Sequence, residues 1–246
     1  MLPITFLARV NTARVRTALD FTTSLIMILA AISMMWFVFK ASPASIAAPQ
    51  RRQVAVPGQP VTLDGAIKFG NVKAAVAVIG FLDYQCNYCA TFEREVMPAI
   101  EAKYVKSGKI LFAIRHLPID RIHPLARRAA EAAVCAAQQG KFVEMHKLLF
   151  EPQPTLDDVG ITSRASQAGL NVGQLHSCIA KDGTRIVSAD SAMAADLGIQ
   201  GTPTFLIGRV DQDRRVKVDK TMFGTKSVEE LSSVIDEVLT TAIRVP

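Results

Sequence analysis

The sequence predicts an α/β domain with an inserted helical subdomain, preceded by one N-terminal transmembrane helix. Three observations predict it. Val76 to Leu82 and Ile110 to His116 are apolar, β-branched runs flanking a helical pattern from about Cys89 to Tyr104, a β-α-β unit with parallel strands. From Pro124 to about Leu197 the chain is rich in Ala, Gln, Leu and Lys at helical spacing. Phe21 to Phe39 carries no charge and is mostly Leu, Ile, Met, Ala and Phe.

The elements follow in order. Residues 1–20 read as a cytoplasmic tail. The apolar stretch 21–39, at about 1.5 Å per residue, nearly crosses a hydrocarbon layer of about 30 Å. Trp36 stands near one end, where an interfacial aromatic is expected. A cleaved signal peptide is the competing reading, with Ser45-Ile46-Ala47 as a cleavage-like site. Its apolar part would be only about 7–15 residues, so the longer stretch favours an uncleaved signal anchor. Orientation by charge is close to a tie: Arg9, Arg14 and Arg16 precede the span, and Lys40, Arg51 and Arg52 follow it. Residues 40–60 are Ala, Ser and Pro with Pro43, Pro49, Pro57 and Pro60, an extended linker of at most about 65 Å at about 3.1 Å per residue.

The folded domain spans 61–246. Pro98 is expected to kink the first helix. The insert, about 121–197, reads as three to five helices, broken at Pro152 and Pro154 and punctuated at Gly169 and Gly173. Thr204 to Ile207 is a strand, and Val216 to Phe223 its hairpin partner across the charged turn Asp211 to Arg215. Ser227-Val228-Glu229-Glu230 opens a last helix in the manner of a capping box, running to about Thr241. No internal repeat appears.

The chemistry gathers at Cys86-Asn87-Tyr88-Cys89, where the first strand turns into the first helix. Cys86 sits at the orphan N–H end of that helix, is the more exposed, and has its thiolate favoured there. Cys89 lies one turn along, near enough to close a small disulfide ring. Half of a zinc site is the alternative, but a second Cys-x-x-Cys or a His-x-x-x-His is missing. Cys135 and Cys178 complete the count of 4 cysteines. In an oxidising compartment an even count suggests pairing, with a structural role; two buried thiols that never meet are the other reading. His116, His123, His146 and His176 are scattered and read as structural.

Phe81-x-Asp83-Tyr84-x-Cys86-x-x-Cys89 resembles the active-site stretch of the DsbA-like thiol–disulfide oxidoreductases, which have a thioredoxin fold. Arg115-His116-Leu117-Pro118, His123-Pro124, Gln139-Gly140-Lys141-Phe142, Met145-His146 and Gly201-Thr202-Pro203-Thr204-Phe205 follow in the family's order. The resemblance covers roughly 64–240. It implies a cis Thr202–Pro203 bond beside Cys86, with Pro203 part of the catalytic site. Extended substrate peptide would pair with the Thr202 backbone; Gly201, Asn87 and Tyr88 complete that surface. It also implies an extra disulfide in the insert, in agreement with Cys135 and Cys178. Two departures stand out. Asn87-Tyr88 replaces the family's usual Pro followed by His or Tyr, and Gly80 stands where many relatives carry a buried acid. Glu93, four residues after Cys89 on one helix face, is therefore the candidate proton relay; an exposed helix carboxylate pairing with Lys or Arg is the other reading.

These readings together imply a membrane-anchored, extracytoplasmic dithiol oxidase of exported proteins, with the catalytic domain on the periplasmic side of the inner membrane. A membrane redox partner would reoxidise it. A reductase or isomerase serving cytochrome or metalloprotein assembly is the runner-up, and a copper-binding module the third reading. No cofactor or bound metal is expected. The net charge of +6 is carried by segments of mixed sign such as Arg209 to Lys220, which speaks against a nucleic-acid partner.

Overall fold

A computed structural model describes residues 25–37, 54–151 and 155–244 of the chain. Two compact units divide it, Met1–Arg51 and Arg52–Pro246. In the first, 25–37 is helical and exposed. The remainder of the expected 21–39 span, the 1–20 tail and most of the linker lie outside the described residues. Among the described residues no helix is long and apolar enough to cross a membrane.

The second unit is built on β3 (Val76–Leu82), buried at every position. Alternation sends Val76, Val78 and Leu82 into one core and Ala77, Ile79 and Phe81 into another. A strand buried on both faces belongs at the centre of a sheet. Its neighbours are β4 (Leu111–His116), parallel, and β5 (Thr204–Val210), antiparallel. Outside them lie β2 (Ile67–Gly70) beside β4, and β6 (Arg215–Phe223) and then β1 (Val61–Thr62) beyond β5. The order is β1-β6-β5-β3-β4-β2. The short edge strands β1 and β2 carry too little periodicity to be read from sequence.

The helix α1 between β3 and β4 begins at Asn87, two residues before its expected start. It runs as α turns over Asn87–Thr91 and Met97–Ile100 and wider π turns over Phe92–Val96 and Glu101–Val105. Pro98 has no N–H for the carbonyl one turn back, and the wide turn before it absorbs that loss. Five helices follow among the described residues of the insert: α2 (Ala126–Gln138), α3 (Phe142–Leu149), α4 (Asp158–Gln167), α5 (Val172–Cys178) and α6 (Thr184–Asp196). Pro152 and Pro154, the expected break, lie outside the described residues. Asp157 and Asn171 cap α4 and α5 by accepting from Gly160 N and Gln174 N. α7 (Val228–Arg244) starts with a reciprocal box: Glu230 N donates to Ser227 Oγ, and Ser227 N to Glu230 Oε2.

The first core joins α1, α7 and the insert to one sheet face through Phe92, Ile100, Ala133, Leu231 and Ile235. On the other face Ala194 of α6 and Ile199 cover Ile79 and Leu206. There Arg115 and Asp190 form a buried ion pair, and Arg115 Nη2 also donates to the Thr62 and Asp64 carbonyls. This is a thioredoxin-like α/β fold with a helical insert.

Candidate active site

Asp83, just past β3, shapes the turn that delivers Cys86. Its Oδ1 accepts from Gln85 N at 2.7 Å, and its Oδ2 accepts from Ile119 N at 2.8 Å and meets His123 Nδ1 at 2.8 Å. A buried carboxylate with three partners fixes both the turn and the loop after β4 against it. Cys86 then stands at the N-cap of α1 with extended backbone. Antiparallel pairing places Thr204 opposite Phe81, so the Thr202–Pro203 segment before β5 lies beside that turn. The Thr202–Pro203 bond is cis, and Cys86 Sγ donates to the Thr202 carbonyl at 3.4 Å. Here the sheet, not the local sequence, brings residues 116 positions apart into contact.

Both thiols are free, and both are buried, Cys86 at 6% exposure and Cys89 at 0%. Their acidities diverge. A hydrogen bond from the Cys89 thiol is the largest influence on Cys86; the Thr202 side chain and the N–H groups of Cys89 and Tyr88 add to it. Against the opposing effect of burial they bring Cys86 down to about 6. The Thr202 carbonyl favours the protonated thiol, but the donors outweigh it. Cys89 is pushed well up, by burial first and then by the hydrogen bond and charge of Cys86. One sulfur is thus prepared as nucleophile and leaving group, the other as a proton-holding thiol.

Asn87 and Tyr88 are exposed, Tyr88 at 68%. The Thr225 hydroxyl donates to the Tyr88 carbonyl, which ties the α1 start to the segment before α7. At Gly201 a Cβ would fall 2.7 Å from the Phe223 ring, so a side chain there has to displace that ring. Gly80 lies between Phe112 and Phe205, with a Cβ position 3.4 Å from each.

Glu93 lies one turn beyond Cys89, and its Oε2 is 3.2 Å from His146 Nε2. His146 Nδ1 is 2.7 Å from the Tyr84 hydroxyl. Two of the four histidines read as structural lie close to the thiol pair. His123 braces the cysteine turn through Asp83, and His146 joins Tyr84 to Glu93. Tyr84 and His146 are 62 residues apart, so no local spacing could reveal the pair. Tyr84 within the cysteine motif and His146 after Met145 were the only signals. A groove of about 170 Å³ beside Cys86 is lined by Tyr84, Asn87, Ala90 and Leu156, among others. It shares Arg94, Phe150 and Glu151 with a cavity of about 400 Å³ between α1 and α3.

Cys135 and Cys178 are joined by a disulfide across a sequence separation of 43, linking α2 to the end of α5. Among the described residues no three His, Cys, Asp or Glu side chains cluster as metal ligands would.

The thioredoxin family model matches residues 62–237. The Na(+)/H(+) antiporter NhaA 3 of Salinispora tropica is 34% identical over 182 residues, 70% of this chain and 27% of the antiporter. The chain thus spans about a quarter of the length of that relative. Among solved structures, Wolbachia pipientis alpha-DsbA1 is 27% identical with a TM-score of 0.64, over 74% of this chain and 95% of that one. A thioredoxin-like oxidoreductase from Silicibacter pomeroyi is 27% identical with a TM-score of 0.58, over 71% and 92%. The family match takes in the central sheet, the thiol pair and the insert alike, and so the chain belongs to the thioredoxin family.

Proposed function

We propose that this chain is a membrane-anchored, extracytoplasmic thiol–disulfide oxidoreductase acting as a dithiol oxidase on exported proteins. The observation that carries the reading is the split between the two sulfurs, Cys86 lowered to about 6 and Cys89 raised. A substrate thiolate attacks Cys86 of the oxidised pair, the S–S bond breaks, and Cys89 leaves with the electron pair. A second substrate thiolate attacks its partner sulfur in the mixed disulfide and releases Cys86 as thiolate. The substrate has lost two electrons, the protein has gained them, and a membrane partner must remove them. A stabilised Cys86 thiolate favours the reduced protein, which is what makes an oxidant.

Extended substrate would lie along Thr202 with Gly201, Asn87 and Tyr88 around it, and Glu93 would serve Cys89 as proton relay. The apolar 21–39 stretch supports the anchor. So does the occurrence of a matching segment within an antiporter of Salinispora tropica. Equilibration of the Cys86–Cys89 pair with glutathione tests the direction. A potential nearer about −120 mV supports the oxidase, whereas one nearer about −270 mV replaces it with the reductase or isomerase.

A further inference from the structure

We propose that the cavity between α1 and α3 is a substrate subsite: it takes a bulky aromatic side chain standing about four residues from the cysteine that Cys86 engages. The inference rests on the exchange reading above and adds the class of polypeptide the site prefers. Two spaces meet here. The groove of about 170 Å³ beside Cys86 is lined by Ala90, Leu149 and Leu156, and it shares Arg94, Phe150 and Glu151 with the cavity of about 400 Å³. Cys86, Ala90 and Arg94 follow one another at every fourth position, so they mark one side of α1. Gly201, Thr202 and Pro203 line neither space, so this is a second surface beyond the peptide pairing along Thr202.

The cavity suits a ring. Phe69, Phe142, His146 and Phe150 line it as a row, with successive ring centroids 5.4, 4.8 and 5.1 Å apart. Met97, Pro98 and Val143 extend the apolar wall, and Val143 is 46% exposed. One more ring can sit edge-on or offset against such a row, at centroid distances of about 4.5–7 Å. Glu93 also lines the cavity, but Glu93 Oε1 and His146 Nε2 are buried, so carbon is most of what an entering group meets. Arg94, Glu101, Lys147 and Glu151 border it with both signs, a polar rim that selects neither an anion nor a cation.

Reach sets the spacing. Cys86 to Arg94 is about 12 Å of helix, at about 1.5 Å per residue. An extended chain advances about 3.3 Å per residue. A side chain about four residues from the engaged cysteine therefore arrives where groove and cavity join. Glutathione has a single residue on either side of its cysteine and is too short to reach. Continuity with the thiol assigns the cavity to a polypeptide held at Cys86 rather than to a free molecule.

The test uses the reduced full chain and cysteine peptides activated as mixed disulfides with thionitrobenzoate. The Cys86 thiolate attacks the peptide sulfur, a new S–S bond forms, and thionitrobenzoate leaves with the electron pair and is read by its colour. One peptide carries Phe four residues before its cysteine, a second carries Phe four residues after it, and a third has Ala at both places. Below saturation, one of the two Phe peptides should react about 10–10²-fold faster than the Ala peptide, the scale of burying one aromatic side chain. Val143→Asp, a change at an exposed position, should remove that advantage and Val143→Leu should keep it. Both variants should react with oxidised glutathione at the parent rate, which checks that the fold is intact. Phe peptides no faster than the Ala peptide, or a Phe advantage that survives Val143→Asp, would overturn the subsite and leave the exchange reading standing. A parent chain that reacts with neither glutathione nor any peptide would overturn both.

Discussion

Cys86 and Cys89 differ because Cys86 is stabilised first by the Cys89 thiol, then by Thr202 and the helix-start N–H groups, whereas burial dominates at Cys89. Cys86→Ala should abolish exchange, and Cys89→Ala should trap mixed disulfides, both visible on non-reducing gels. The same cause predicts a second effect. The Cys89 thiol is the largest influence lowering Cys86. Alkylation of Cys86, half-maximal near pH 6 in the parent, should move to higher pH in Cys89→Ala; an unmoved midpoint would reverse that assignment. His116 gives a prediction about stability. Burial, then the charges of His146 and Arg115, lowers it from 6.5 to about 3. Both its ring nitrogens are buried without a partner. Between those two values the unfolded chain binds a proton that the folded chain refuses, so stability falls as pH drops through the window, by at most about 1.4 kcal/mol per pH unit. His116→Leu should flatten the decline of melting temperature from pH 6.5 to 4, and an equally steep decline would place the acid sensitivity elsewhere.

At the level of elements, the insert is held by its own core and by one covalent link. Closing 43 residues stabilises by about 4 kcal/mol on the chain-entropy view. Cys135→Ser with Cys178→Ser should therefore lower the melting temperature of the domain. The redox potential of the Cys86–Cys89 pair should stay nearly unchanged, because the bridge joins α2 to α5 and neither carries the exchange thiols. A large shift in potential would reveal coupling between the two pairs. The wide turns of α1 matter for the same site. Phe92–Val96 begins three residues after Cys89 and contains Glu93, so the helix geometry sets how the acid meets α3.

For the whole molecule, the described domain and the N-terminal segment separate as two units. If the 21–39 stretch anchors the chain, the full protein should sediment with membranes and resist extraction at high salt. A chain starting at Gln53 should be released and keep the parent's exchange kinetics with glutathione. A full-length chain recovered in the soluble fraction would instead favour the cleaved signal peptide.

The sequence by itself determined the β-α-β unit, the helical insert, the terminal hairpin and helix, and the exchange motif. Each is written in periodicity or in residues a few positions apart: the all-buried Val76–Leu82 run, the box from Ser227 to Glu230, Cys86 with Cys89. Tertiary structure decided the rest. The short edge strands β1 and β2 exist only because β6 and β4 offer them open edges. Gly80 is enclosed by rings from two other strands. Thr202 reaches Cys86 through the antiparallel register of β3 and β5, and His146 reaches Tyr84 by the docking of α3 against the cysteine turn. Contacts between segments that far apart are fixed by how layers pack, and local spacing along the chain carries no trace of them.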